Sequence, residues 1–264
     1  MKRIKNKFAE LRARNEKALI VYLTAGDPSL SVTKKLILAM EKAGADILEI
    51  GVPFSDPTAD GPVIQAAAQR SLKAGTTLEG VLKMVAKVRK VSNIPIVLFG
   101  YFNPIFAYGV KKFAQAARNA GVDGVLVVDL PYEEARELRD YTDAVGIDFI
   151  SLIAPTTDKE RLRKIVSKAS GFLYYISITG ITGTAAPKIG NIKTEVNKIR
   201  KITKLPIAVG FGISRPEQAR EIGRFADGVV IGSAVVRLID ENKNNGDLSN
   251  ILSDYISNIK KELR

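Results

Sequence analysis

Short, nearly unbroken apolar runs recur along the chain, separated by segments whose apolar positions repeat at helical spacing. The runs are A-L-I-V-Y-L-T (18–24), D-I-L-E-I-G (46–51), I-P-I-V-L-F-G (94–100) and D-G-V-L-V-V-D (123–129). They continue with I-D-F-I-S-L-I (147–153), G-F-L-Y-Y-I-S (171–177), L-P-I-A-V-G (205–210) and D-G-V-V-I-G (227–232). Runs without polar alternation predict parallel strands covered on both faces. Amphipathic patterns at 31–43, 110–119, 132–144, 158–169 and 215–223 predict helices between them. A weak internal echo supports a repeating unit: G-A-D-I-L-E-I-G, G-V-D-G-V-L-V-V-D and F-A-D-G-V-V-I-G each pass through an Asp into a strand. Eight strand–helix units in 264 residues match the size of a (β/α)8 barrel. The expectation is an α/β protein, a single-domain TIM barrel over residues 1–264 with an extra basic helix at the N-terminus; a doubly wound sheet is the alternative.

In such a barrel the chemistry sits at the C-terminal ends of the strands. Those ends read T-A-G-D-P, E-I-G-V-P-F-S-D-P, F-G-Y-F-N-P, V-D-L-P, A-P-T-T, S-I-T-G-I-T-G, V-G-F-G-I-S and I-G-S-A. One stretch stands apart. In L-E-I-G-V-P-F-S-D-P-T-A-D-G-P (48–62) an acid, Glu49, interrupts a buried-looking strand, and an acidic loop with Asp56 and Asp60 follows. A buried carboxylate is costly without a partner, so Glu49 either meets one or serves a reaction.

Composition removes most alternatives. The chain has no cysteine and no histidine. Thiol catalysis, disulfides, imidazole acid/base chemistry and His- or Cys-ligated metals are thereby excluded. Proton transfer near neutral pH then falls to perturbed carboxylates, tyrosine or lysine. No lysine stands at a strand end, the nearest being Lys159 and Lys188, which disfavours Schiff-base chemistry. An all-oxygen Mg²⁺ site from Glu49, Asp56 and Asp60 stays open as an alternative. The net charge of +12 is dispersed among acids on helical segments and carries no nucleic-acid motif, so no nucleic-acid partner is expected. No apolar run spans a bilayer and no secretory signal opens the chain, which is compatible with a cytoplasmic protein.

The last three strand ends are rich in Gly, Ser and Thr: Thr182-Gly183, Gly210-Phe211-Gly212 and Gly232-Ser233. Glycine lets backbone approach a ligand, and N–H groups at a helix start attract an anion. Turns after strands 7 and 8 are the frequent phosphate site of barrels. A phosphorylated small molecule is the expected ligand.

These residues bring the chain to a known family. The 48–62 stretch closely resembles the signature of the tryptophan synthase alpha subunit, and the resemblance runs in order through Y-L-T-A-G-D-P (22–28), V-L-V-V-D-L-P (125–131), G-I-T-G (180–183), G-F-G-I-S (210–214) and I-G-S-A (231–234). It implies cofactor- and metal-independent retro-aldol cleavage of indole-3-glycerol phosphate to indole and glyceraldehyde 3-phosphate. It also implies roles at matching positions. Glu49 is the proton carrier, Asp60 the carboxylate facing the indole nitrogen, and Tyr174 a supporting residue that its neighbour Tyr175 could replace by a one-residue slip. Tyr22, Phe99 and Leu126 surround the ring; Thr182, Gly183, Gly210, Phe211, Gly212, Gly232 and Ser233 receive the phosphate. An apolar strand should keep Glu49 protonated, and a hydrated, exposed loop should keep Asp60 charged. Read without the resemblance, Glu49 has the alternative of a satisfied buried acid, Tyr174 reads as core packing, Asp56 is a turn former, and Asp129 is a loop anchor or partner contact.

Two departures stand out. Lys188 is the only cation soon after Thr182-Gly183, where the family commonly carries arginine, and Thr58 replaces an aliphatic residue. F-G-Y-F-N-P-I-F-A-Y (99–108) gathers five of the chain's 18 aromatics, an interaction patch or rim packing. The resemblance turns this patch and D-L-P-Y-E-E toward a β subunit, in an α2β2 assembly that consumes indole. An alternative function, weak lyase activity with mainly allosteric activation of that partner, follows from the same patch.

Overall fold

The computed structural model describes residues 2–176, 189–210 and 212–264. Nine strands lie in it: β1 (Ala18–Thr24), β2 (Ile47–Gly51), β3 (Ile96–Gly100), β4 (Gly124–Val127), β5 (Asp148–Phe149), β6 (Ser151–Ile153), β7 (Leu173–Ile176), β8 (Ile207–Gly210) and β9 (Gly228–Ile231). Helices fill the intervals. They are α1 (Arg3–Ala13), α2 (Leu30–Ala43), α3 (Pro62–Lys73), α4 (Leu78–Arg89), α5 (Phe102–Tyr108), α6 (Val110–Ala120), α7 (Arg136–Val145), α8 (Lys159–Val166), α9 (Ile189–Arg200), α10 (Pro216–Gly223), α11 (Ser233–Asn242) and α12 (Leu248–Lys261). The extra N-terminal helix is therefore present, and every apolar run of the sequence forms a strand.

All pairings are parallel, in the order β5-β4-β3-β2-β1-β9-β8-β7-β6. The two ends of this sheet, β5 and β6, are consecutive in the chain and separated only by Ile150. The sheet thus returns to its own start, and the architecture is an almost closed TIM barrel. The fifth expected strand, 147–153, is broken in two because it changes partners. Asp148 and Phe149 pair with β4 and Ile150 N–H still donates to Val125 C=O at 2.8 Å, whereas Ser151 onward pairs with β7.

Strand alternation divides the core. Leu19, Val21, Leu23, Leu48 and Ile50 face outward beneath the helices. Ala18, Ile20, Ile47, Val97, Leu126, Ile150, Phe172, Ala208 and Val230 fill the interior, and Ile4, Phe8 and Leu11 of α1 plug its bottom. Burying an aliphatic chain of this size stabilises by about 1.5–3 kcal/mol each, so plug and interior together form a firm floor.

The Asp echo has a structural explanation. Asp46, Asp123 and Asp227 each stand just before a strand and accept an N–H from the start of its neighbour: Leu19 at 2.8 Å, Ile96 at 3.0 Å and Ile207 at 3.0 Å. Each is also matched by cations: Asp46 by Lys260 (2.9 Å), Asp123 by Arg3 (2.9 Å) and Arg89 (3.0 Å), Asp227 by Arg200 (3.0 Å). These acids lie at the N-terminal rim, the end of a barrel that carries stability rather than chemistry. They are staples.

Candidate active site

A cavity of about 540 Å³ opens at the C-terminal ends of the strands. Tyr22, Glu49, Phe99 and Tyr174 form one part of its wall, and Gly210, Gly212, Gly232 and Ser233 another. Eight of the sequence's candidate residues thus meet in one place. Leu126 does not reach the cavity; it is fully buried in the interior layer below. Thr182, Gly183 and Phe211 lie outside the described residues, as does Lys188.

Glu49 is 1% exposed, and among the described residues neither carboxyl oxygen has a hydrogen-bond partner. The bland reading, a buried acid satisfied by a backbone N–H or a lysine, is not what this residue does. Alternation forces the placement: on β2, Leu48 and Ile50 point to the helices, so Glu49 points into the barrel beside its register partner Tyr22. Burial alone raises its pKa to about 8. The acid therefore keeps its proton at neutral pH, because an isolated charge in an apolar wall is disfavoured.

Asp60 corrects an expectation. The loop acid is not exposed: only 9% of it is accessible, and burial raises its pKa to about 6, with the Tyr101 hydroxyl pulling the other way. The cause lies in the loop's anchoring. Ala59 N–H donates to Tyr101 Oη at 3.0 Å, Asp60 N–H donates to Pro57 C=O at 3.0 Å, and Gln65 Nε2 donates to Asp60 C=O at 2.8 Å. These bonds press the loop down, and α3 starts at once with Pro62 in its first turn. Asp60 itself is not on the cavity wall, although Ala59 and Gly61 are. The order of the two acids survives the correction. Near pH 7 most Asp60 is ionised and most Glu49 is not, so their states still differ. Asp56 is exposed and bonded to Ser55 Oγ, as a turn former is. Among the described residues no group of three or more acidic side chains is placed to hold a metal, and Glu49, Asp56 and Asp60 form none.

The tyrosine ambiguity is settled by alternation. Tyr174 faces the cavity; Tyr175 faces outward into the sheet–helix layer. Tyr22 and Tyr174 each lie over a glycine. A Cβ on Gly51 would come within 2.2 Å of the Tyr22 hydroxyl, and one on Gly210 within 2.5 Å of the Tyr174 hydroxyl. Burial pushes both phenols above their ordinary pKa. Both stay neutral near pH 7 and neither can serve as a base, which leaves that task to a carboxylate. Phe99 meets Tyr22 edge-on, with ring centroids 5.2 Å apart. Gly212 has φ +61°, a left-handed turn that side chains disfavour, and Ser233 opens α11 directly after β9.

Sequence reasoning missed two residues. Tyr101 stood in the aromatic segment read as an interaction patch or rim packing, and was not singled out; it is buried and holds the acidic loop. Arg237 lines the cavity from within α11, five residues past Gly232, where no strand-end motif points to it. Asp129, by contrast, is a loop anchor as anticipated, accepting Phe102 N–H at 2.8 Å.

A barrel whose strand-end face joins a buried acid to glycine turns at a helix start has the layout of a barrel enzyme, with its site at the C-terminal ends of the strands. The particular lineage follows from comparison. The family model described as tryptophan synthase alpha chain matches residues 8–262, and the chain belongs to that family. A tryptophan synthase alpha chain from Citrifermentans bemidjiense is 50% identical over 261 residues, covering 99% of this chain and 97% of the relative. The crystal structure of tryptophan synthase subunit alpha from Legionella pneumophila superposes with a TM-score of 0.93 at 40% identity, covering 100% of this chain and 98% of that one. A chain of the tryptophan synthase complex from Pyrococcus furiosus gives 0.84 at 37% identity, covering 93% and 98%.

Proposed function

We propose that this cavity carries out the retro-aldol cleavage of indole-3-glycerol phosphate, with Glu49 as the proton carrier. One observation supports it above all: a carboxyl group facing a cavity, without a hydrogen-bond partner among the described residues, in a setting that keeps it protonated. Glu49 gives its proton to indole C3, which places positive charge on the ring nitrogen. The ionised Asp60 stabilises that charge. The Glu49 carboxylate then takes the proton of the glycerol hydroxyl next to the ring. As the C=O bond forms, the bond to C3 breaks and its electron pair restores the aromatic indole. Glyceraldehyde 3-phosphate is the second product, and Glu49 ends protonated as it began. The ring itself is the electron sink, so no residue here is asked to hold a cofactor or a metal.

The phosphate goes to the glycine turns of the cavity wall, where Gly212, Gly232 and Ser233 present backbone at the start of α11. Tyr22, Phe99 and Tyr174 enclose the ring. A β subunit is the proposed partner, in an α2β2 assembly, and a cytoplasmic setting belongs to the same proposal. Phe106, 63% exposed and packed on Phe102 with centroids 5.9 Å apart, supplies an apolar contact point for it. The same point supports the second reading, in which allosteric activation of that partner outweighs lyase activity.

Indole release from indole-3-glycerol phosphate by the isolated chain, with and without a β subunit, tests both. Release that the partner accelerates is the expected result. No release in either arm rejects the lyase assignment, and activation of the partner without release leaves the second reading.

A further inference from the structure

The glycine turns leave the phosphate short of positive charge. A phosphate monoester carries about −1.5 to −2 at pH 7, whereas a helix N-terminus contributes roughly half an elementary charge. Asp60, mostly ionised near pH 7, lies in the loop beside the same cavity and adds no positive charge. Backbone N–H groups alone would leave more than one negative charge unopposed.

One cation stands in the right place. Arg237 lines the cavity together with Gly232 and Ser233, and no other lysine or arginine among the described residues does. Ser233 and Arg237 are one helical turn apart on α11, hence on the same face. Long helical side chains lean toward the N-terminus of their helix, which carries the guanidinium back over the turn that begins at Ser233. Arg237 is exposed, and among the described residues no carboxylate lies within ion-pair distance of it. Its helix neighbour Asp240 is taken by Arg70 (3.2 Å) and Lys243 (2.7 Å). By comparison, Arg3, Arg70, Arg89, Arg200 and Arg220 are all paired with acids.

We propose that Arg237 is a phosphate-binding residue of this cavity, forming a charge-assisted, forked contact with the substrate's phosphate at the mouth above α11. This rests on the proposed function and adds the cation that the glycine turns lack. A planar guanidinium suits two phosphate oxygens at once, a geometry an ammonium does not reproduce. The phosphate is remote from the bond that breaks, so the contact is alike in ground and transition states. Its loss then belongs in KM and not in kcat.

The test compares the full chain with Arg237→Gln and Arg237→Lys. Arg237→Gln should raise KM for indole-3-glycerol phosphate about tenfold with kcat within twofold, and Arg237→Lys should fall between. Inhibition by inorganic phosphate should weaken by a similar factor, whereas binding of indole, which has no phosphate, should not change. A KM and a phosphate inhibition constant within twofold of the parent would overturn the proposal, as would a loss confined to kcat. Calorimetric titration with inorganic phosphate needs no turnover. If the parent chain released no indole, the functional reading would fall, and equal phosphate affinity in parent and Arg237→Gln would separately dismiss Arg237.

Discussion

Tyr22 and Glu49 are register partners on adjacent parallel strands, and both line the same cavity above one apolar layer. The phenol is held neutral by burial, and so is the acid. A reactive proton therefore sits beside an aromatic wall, with no hydrogen-bond acceptor among the described residues holding it. What accepts it must come from outside, as a substrate does.

Stability at high pH should reveal the isolation of Glu49. Below about pH 4.5 the group is protonated in both folded and unfolded chains and contributes nothing. Between there and about pH 8 the unfolded chain has lost the proton and the folded one has kept it, so stability falls as pH rises. Above that range the effect levels off. Glu49→Gln removes this dependence while keeping volume. Urea unfolding at pH 5 and pH 8 should show the variant gaining on the parent at the higher pH. Indole release should fall by ~10²-fold or more. A variant that cleaves within tenfold of the parent would return Glu49 to a structural role.

Activity should follow a bell. The working form has Asp60 ionised and Glu49 protonated, so kcat/KM should lose its acid limb near pH 6 and its alkaline limb near pH 8. Asp60→Asn should lower kcat and abolish the acid limb. Tyr101 favours the charged form of Asp60, so Tyr101→Phe should move that limb upward. A limb that stays put in Tyr101→Phe would detach the tyrosine from the acid.

Gly51 is where the wall tolerates no side chain. Gly51→Ala drives a methyl into the Tyr22 ring, with the hydroxyl at 2.2 Å and Cζ at 2.6 Å. Overpacking of this kind costs about 1–3 kcal/mol. Tyr22→Phe removes only the nearer atom, so the pair should recover part of the loss and not all of it. Denaturant titration of the two single variants and the double variant measures the coupling; strict additivity would mean that the ring moves aside freely.

Asp123→Ala is the counterpart at the other rim. It leaves Arg3 and Arg89 without their acid and Ile96 N–H without its acceptor. Breaking such a partly buried network should cost about 3–5 kcal/mol. Among molecules that remain folded, kcat should stay within twofold. A variant of normal stability and lowered kcat would reverse the assignment of the two rims.

The strands were legible because parallel strands need apolar side chains on both faces, and that leaves continuous runs such as 18–24 and 205–210. The Asp echo was visible as a repeat, but its meaning depends on which N–H each carboxylate meets across a strand pair. Asp60 was misjudged because loop burial is decided by the residues that anchor the loop, here Tyr101 and Gln65, and not by the loop's own polarity. Leu126 had the right chemistry but sits one layer too deep, a matter of register between strands that the motif does not contain. Tyr101 was not told apart from its aromatic neighbours, since five rings in ten residues do not say which of them turn inward. Arg237 escaped notice because it reaches the cavity only through the lean of a helical side chain.

A ring is as stiff as its weakest arc. Three charged staples bind β1 to β2, β3 to β4, and β8 to β9. In the sector of β5 and β6 the corresponding task falls to a neutral hydroxyl, Ser170 Oγ accepting Phe149 N–H at 2.8 Å, and closure there runs through the chain at Ile150 instead of a ladder. Neutral bonds are weaker than charge-assisted ones, so this arc should open first. Amide exchange should accordingly be faster at Asp148–Ile153 than at β1 or β2. The barrel then has a built-in soft seam, bounded by the loops that leave β4 and β6, through which a body pressing on that rim could bend the site without breaking the ring.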